Sequence, residues 1–126
     1  MPALNFHARF ANAVMALEKR QTIRVRGKRQ PPKVGDSLFL YTGMRTASCR
    51  KLATVTCASV EQIMVDPDRK TVTMPRGQPG HQFWSVLDQD EVTALALADG
   101  FACSDDFFAF FADAHGCSIS GYLIKW

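Results

Sequence analysis

The segment Lys19-Arg-Gln-Thr22-Ile-Arg24 gathers an amine, a hydroxyl and a guanidinium within six positions. A hydroxyl beside a lysine can serve as a nucleophile when burial or a neighbouring charge leaves the amine neutral part of the time. The same residues also read as a helix-terminal lysine followed by an edge-strand threonine, both common at surfaces. Asp99 bears on that choice, because it stands directly before Gly100 at the expected end of a helix. A carboxylate there faces the negative end of the helix dipole, at a cost of roughly 0.3–1 kcal/mol unless a cation answers it. The bases of residues 19–29 are the nearest supply, and pairing with Lys19 would fix the amine beside Thr22. His7, His81 and His115 are scattered, and His115-Gly-Cys117 lacks a second ligand pair, so no metal or other cofactor is expected. The chain carries no phosphate-binding glycine loop, no G-x-S-x-G and no H-x-E, which removes P-loop hydrolysis and zinc deamination.

These groups must be positioned by short elements. Phe6, Phe10, Ala13, Val14 and Leu17 recur at helical spacing and predict an amphipathic helix over 5–18. Lys19 and Arg20 follow, where cations suit the helix end. Thr22-Ile-Arg-Val-Arg26 alternates as a half-buried strand does, with Thr22, Arg24 and Arg26 on one face and Ile23 and Val25 on the other. Gly27-Lys-Arg-Gln-Pro-Pro-Lys33 reads as a basic, proline-stiffened loop, and Gly35-Asp36 as a turn. Strands are expected at 37–41, within 50–60, at 70–74 and at 81–87, with a loose loop over 75–80. Asp88 with Glu91 three residues on is a capping box, opening a helix that ends by Gly100. A second helix is capped by Ser104, carries Asp105 and Asp106 in its first turn, and buries Phe107, Phe110, Phe111 and Ala114 before Gly116 stops it. Residues 119–125 close the chain as a strand. One helix, several strands, two helices and a last strand fit an α+β domain on a small, curled, barrel-like sheet, and the lack of regular β-α-β alternation excludes a doubly wound sheet.

A length of 126 residues allows one domain, spanning 1–126. With 47% hydrophobic and 21% charged residues the chain can build a core without being disordered, and no apolar run is long enough to span a membrane. Cys49, Cys57, Cys103 and Cys117 form no C-x-x-C pair and read as reduced thiols of a cytoplasmic protein, and the N-terminus lacks the pattern of a secretory signal. Charge is unevenly placed. Residues 1–51 hold eleven Lys/Arg against two acids, whereas residues 52–126 hold four against ten. A basic half suggests a phosphate-bearing partner, although the two halves of the surface can also answer each other.

Several fragments in order resemble a family. Phe6-x-x-x-Phe10, Lys19-x-x-Thr22-x-Arg24, Gly35-Asp36, Ala98-Asp-Gly-Phe101, Phe107 and Gly121-Tyr-Leu-Ile-Lys-Trp126 are similar to the ASCH domain, a member of the PUA-like superfold of small β-barrels with flanking helices. The resemblance covers residues 6–65 and 96–126. Tyr41-Thr-Gly-Met-Arg-Thr46 is similar to the small, stand-alone ASCH proteins of bacteria and their phages. The resemblance implies a cleft between barrel and helices that receives RNA or a nucleobase derivative. Some single-domain members remove the acetyl group of N4-acetylcytidine with a Lys, a Thr and a Glu. By motif the first two correspond to Lys19 and Thr22, while the Glu falls on Asp99, one methylene shorter.

Three readings follow. The first is RNA or nucleobase binding, with Arg24, Arg26, Lys28, Arg29 and Arg45 as a basic rim and Tyr41, Phe39 or Trp84 as a stacking aromatic. Core packing is the competing fate of each aromatic, above all of Phe39. The second is amidohydrolysis, with Lys19 as base, Thr22 as nucleophile and Asp99 positioning Lys19 or protonating the leaving amine. The third is a protein-interaction module that has lost the chemistry, with Phe108 as an exposed anchor unless it packs in the core.

Overall fold

The alternating residues after Lys19 and the apolar C-terminal run become neighbouring strands, and the rest of the fold is arranged around that pairing. The computed structural model describes residues 3–28, 30–78 and 80–126. In chain order the elements are β1 (Ala3–Phe6), a 3-10 turn (Ala8–Phe10), α1 (Ala11–Met15), β2 (Gln21–Val25), β3 (Ser37–Thr42), β4 (Arg50–Thr56) and β5 (Ser59–Asp66). They continue with β6 (Thr71–Gln78), β7 (His81–Val86), α2 (Gln89–Ala98), α3 (Ser104–His115) and β8 (Ile119–Lys125).

Two sheets result. One has the order β1-β3-β4, with β1 parallel to β3 and β3 antiparallel to β4. The other is antiparallel throughout, in the order β2-β8-β5-β6-β7. Among the described residues no strand pairing joins the two sheets, so they do not close into one hydrogen-bonded barrel. The α+β class stands. No helix among these residues is long and apolar enough to cross a membrane.

The N-terminal segment departs from the helix expected over 5–18. Phe6 belongs to β1, and only Ala11–Met15 is α-helical. The i, i+4 spacing survives because Phe6, Phe10 and Val14 all reach the core, but a strand, a 3-10 turn and a helix deliver them in succession. Leu17 leaves the pattern, half-exposed and at φ 60°. Residues 75–78 are also not a loop. Pro75 pairs with Trp84 and the β6–β7 ladder runs on to Gln78 and His81, while the β5–β6 ladder stops at Thr73, so Pro75 stands where β6 has an open side and its missing N–H is tolerated.

The two long helices follow local chemistry closely. The Asp88 carboxylate accepts from the Glu91 N–H at 2.8 Å and the Glu91 carboxylate from the Asp88 N–H at 3.1 Å, completing the capping box. Val92, Leu95 and Ala96 then face the core. At α3 the cap is Cys103, whose sulfur accepts from the Asp106 N–H, and Ser104 is the first helical residue. Phe107, Phe108 and Phe111 are buried, Phe110 is half-buried and Ala114 faces solvent. Phe108, only 4% exposed, is therefore core and no anchor for a partner. Phe10, Phe101, Phe107, Phe110 and Phe111 form one aromatic cluster of edge-to-face and tilted pairs with centroids 4.9–6.5 Å apart, each edge-to-face contact adding about 0.5–1.5 kcal/mol beyond burial. That cluster joins the start of the chain to α3 and walls the site.

Candidate functional site

Two chain reversals bring the site together. At the end of α1 the Leu17 N–H bonds to the Val14 carbonyl and the Glu18 N–H to the Ala13 carbonyl, with Leu17 left-handed. At the end of α2 the Gly100 N–H bonds to Leu97 and the Phe101 N–H to Ala96, with Gly100 at φ 95°. Both are Schellman endings. The first turns Lys19 inward and the second presents Asp99 to it.

Lys19 and Asp99 are each 3% exposed, and Thr22 is 6% exposed. Lys19 Nζ donates to the Asp99 main-chain carbonyl at 2.5 Å and lies 3.2 Å from Asp99 Oδ1. It thereby occupies a helix-end carbonyl that would otherwise lack a partner and answers the dipole at the same place. Its ammonium also stands 4.8 Å from the Phe10 ring centroid. A Cβ at Gly100 would come 3.1 Å from Phe10 Cδ1 and 3.3 Å from Lys19 Cδ, so glycine is favoured by that close approach as well as by its φ. Gln21, 5% exposed, donates to Asp99 Oδ1 over a long 3.4 Å.

On β2, Thr22 and Arg24 share a face as the alternation requires. Arg24 Nε donates to Thr22 Oγ1 at 3.1 Å, and Arg24 Nη2 donates to the Asn5 carbonyl of β1 at 2.7 Å. The guanidinium lies 4.8 Å from the Phe6 ring centroid. Lys19, Thr22, Arg24 and Asp99 line one hollow of about 290 Å³, walled by Phe6, Phe10, Phe101, Phe110 and Phe111, with His7 and His115 also on its lining.

Burial sets the protonation chemistry. It pushes the Lys19 amine below the usual lysine range, partly offset by the Asp99 charge and hydrogen bond and reinforced by Arg24. Burial likewise pushes the Asp99 carboxyl up, opposed by Lys19, Gln21 and Arg24. Desolvation penalises each charge and the attraction between them works against that penalty, so Lys19 gives up its proton more readily than a free lysine does. Burial also draws the Arg24 guanidinium down to about 10, so it remains cationic at neutral pH. The arrangement offers an amine that can take up a proton, a hydroxyl whose oxygen already accepts from a cation, and a low-dielectric wall around both.

Other expected site residues lie elsewhere. Arg26 and Lys28 are exposed beyond the end of β2, with the Arg26 guanidinium 5.5 Å from the Tyr122 ring centroid. Arg29 lies outside the described residues. Tyr41 on β3 and the exposed Arg45 do not line the hollow. Phe39 is half-buried beneath Lys51, 5.2 Å from its ammonium. Trp84 is on β7, four strands from β2, or about 19 Å at the usual strand spacing. No three His, Cys, Asp or Glu side chains gather to hold a metal among the described residues. The sequence reading missed Gln21, because strand alternation alone puts it on the face opposite Thr22, and missed the Asn5 carbonyl, which no residue type announces.

Comparison with protein-family models, with curated proteins and with solved structures found no match for this chain.

Proposed function

We propose that the hollow binds a single nucleobase-type ligand and hydrolyses an exocyclic amide on it, as the small ASCH amidohydrolases do with N4-acetylcytidine. The observation that carries this reading is the burial of Lys19, Thr22 and Asp99 in one hollow, with Arg24 donating to the Thr22 hydroxyl. A volume of about 290 Å³ is at the small end of ligand sites, which favours one nucleoside over several stacked bases. The two sheets are read as an opened PUA-like barrel, its seam spanned by Arg24. Four free thiols, three of them exposed, fit a reducing cytoplasm.

In the proposed reaction the neutral Lys19 amine takes the Thr22 hydroxyl proton as Oγ1 attacks the acetyl carbon. The carbon–nitrogen bond then breaks and Lys19 returns the proton to the departing amino nitrogen. Water hydrolyses the acetyl ester on Thr22, releasing acetate and restoring the hydroxyl. Asp99 acts through Lys19, holding it by carboxylate and main-chain oxygen together. This double hold answers the missing methylene, since it is the lysine that approaches the helix end. The ligand carbonyl oxygen faces the Arg24 fork.

The test is incubation of the purified chain with N4-acetylcytidine, following cytidine and acetate. Equal amounts of both products are expected, with turnover reduced at least about a hundredfold in Thr22→Ala and in Lys19→Ala. Turnover that persists undiminished in either variant removes the assigned roles.

A further inference from the structure

The hollow does not end at Arg24. Arg24 and Val25 also line a second hollow of about 780 Å³, which extends past Leu4 on β1 and past Gly27, Lys28 and Lys33 in the loop after β2. The two hollows follow one seam between two free sheet edges. Among the described residues β1 is paired only with β3, and β2 only with β8, so their other edges face the gap. Residues 5–6 and 22–25 line the first hollow, and Ala3, Leu4, Arg24, Val25, Gly27 and Lys28 line the second.

Charge distinguishes the two. Among the described residues the second hollow is lined by Arg24, Lys28 and Lys33 against a single acid, Asp36, whose Oδ2 is already accepting the Lys33 N–H at 2.9 Å. Pro31 and Pro32 stiffen its wall. Arg24 stands between the hollows with Nε on Thr22 and Nη2 on Asn5, so its planar fork is held in place before any ligand arrives. An extended peptide would have to lie between the two strand edges as a third strand. The Arg24 side chain already bridges that space to the β1 main chain, which favours a small anionic group.

We propose that the second hollow takes a phosphate carried by the ligand whose base occupies the first, so that the natural ligand is a nucleotide and not a free nucleoside. This inference rests on the nucleobase reading above. Arg24 serves both parts of the ligand, while Lys28 and Lys33 serve only the phosphate.

The experiment is calorimetric titration of the full chain with cytidine, cytidine 5′-monophosphate, cytidine 3′-monophosphate and a cytidine trinucleotide. Wild type and the double variant Lys28→Ala/Lys33→Ala are compared at low and raised salt. Both lysines are exposed, and an unchanged melting temperature verifies the fold of the variant. At least one monophosphate is expected to bind about tenfold or more tightly than cytidine. That advantage should shrink with salt and disappear in the double variant, with cytidine affinity unchanged. A trinucleotide tighter than both monophosphates identifies the phosphate as part of a strand, and one that is no tighter identifies a free nucleotide. Equal affinity for cytidine and both monophosphates in wild type, or an advantage that survives the double substitution, overturns the second hollow and leaves the base site standing. Binding of none of the four overturns both.

Discussion

Two helices of this chain end in the same hydrogen-bonded reversal, and the two reversals hold the opposite partners of one buried ion pair. The reversal after α1 places Leu17 in the left-handed region and delivers Lys19. The reversal after α2 places Gly100 there and delivers Asp99. They differ in what surrounds the left-handed residue. Leu17 is 50% exposed and its side chain leaves toward solvent, so leucine is tolerated at a backbone cost of about 1–2 kcal/mol. Gly100 has Phe10 and the Lys19 stem crowding the place a Cβ would take, so any other residue adds close contacts to left-handed strain. The same local hydrogen-bond pattern is therefore forgiving at one end of the pair and exacting at the other.

The largest effect is expected from breaking the pair itself. Lys19→Met or Asp99→Leu alone leaves a buried charge without its partner and should lower stability by about 3–5 kcal/mol in urea unfolding. The double variant Lys19→Met/Asp99→Leu should recover most of that loss, because neither charge remains to be desolvated. Additive losses in the double variant would show that the two residues are not coupled.

Next is Gly100→Ala, which should cost about 1–3 kcal/mol from left-handed strain and overpacking together. It should also reduce turnover by displacing the Lys19 stem, whereas Leu17→Gly, at the matching position, should leave turnover unchanged. Melting curves and steady-state rates on the two variants read the contrast directly.

The third prediction concerns pH. Because burial lowers the Lys19 amine, kcat/KM should rise with pH through a midpoint below the ordinary lysine value of 10.5. Asp99 is a contributor that raises Lys19, so Asp99→Asn should move the midpoint to lower pH even as it slows the reaction. The stability consequence has its own sign. A raised Asp99 contributes stability that is present in acid and is lost as pH rises through its folded value, while a lowered Lys19 contributes stability present above 10.5 and lost as pH falls through its folded value. In Lys19→Met/Asp99→Leu both dependences should vanish from a plot of unfolding free energy against pH. The smallest effect is the gain from Leu17→Gly, at most about 1 kcal/mol in urea unfolding.

The same two reversals explain how far the sequence could be read. Gly100 marks its helix end by residue type, and the capping box at Asp88 and Glu91 marks the start, so α2 and the place of Asp99 were legible. The strand 119–125 was equally clear, from an apolar run that the structure pairs on both sides. Leu17 carries no such mark. Its chain reversal carries Lys19 from the helix end into the buried site, and the apolar spacing continues through it as though a helix did. Lys19 could therefore be named as a candidate, yet its burial could not be derived from local pattern. The aromatic residues show the opposite failure. Trp84 looked like a stacking platform by type, but sheet order puts it at the far edge, and Phe108 packs inside although it falls off the expected apolar stripe. Strand order and side-chain burial are non-local properties, set by pairings such as β2 with β8 across about a hundred residues of chain.

The most direct measurement is a crystal of Thr22→Ala, grown to prevent turnover and soaked with N4-acetylcytidine. A pyrimidine ring is expected in the hollow between Lys19 and Arg24, with its acetyl carbon about 3–3.5 Å from the place the missing hydroxyl would take. Ligand bound only outside that hollow at saturating concentration, with Lys19 and Asp99 still joined, would contradict the account.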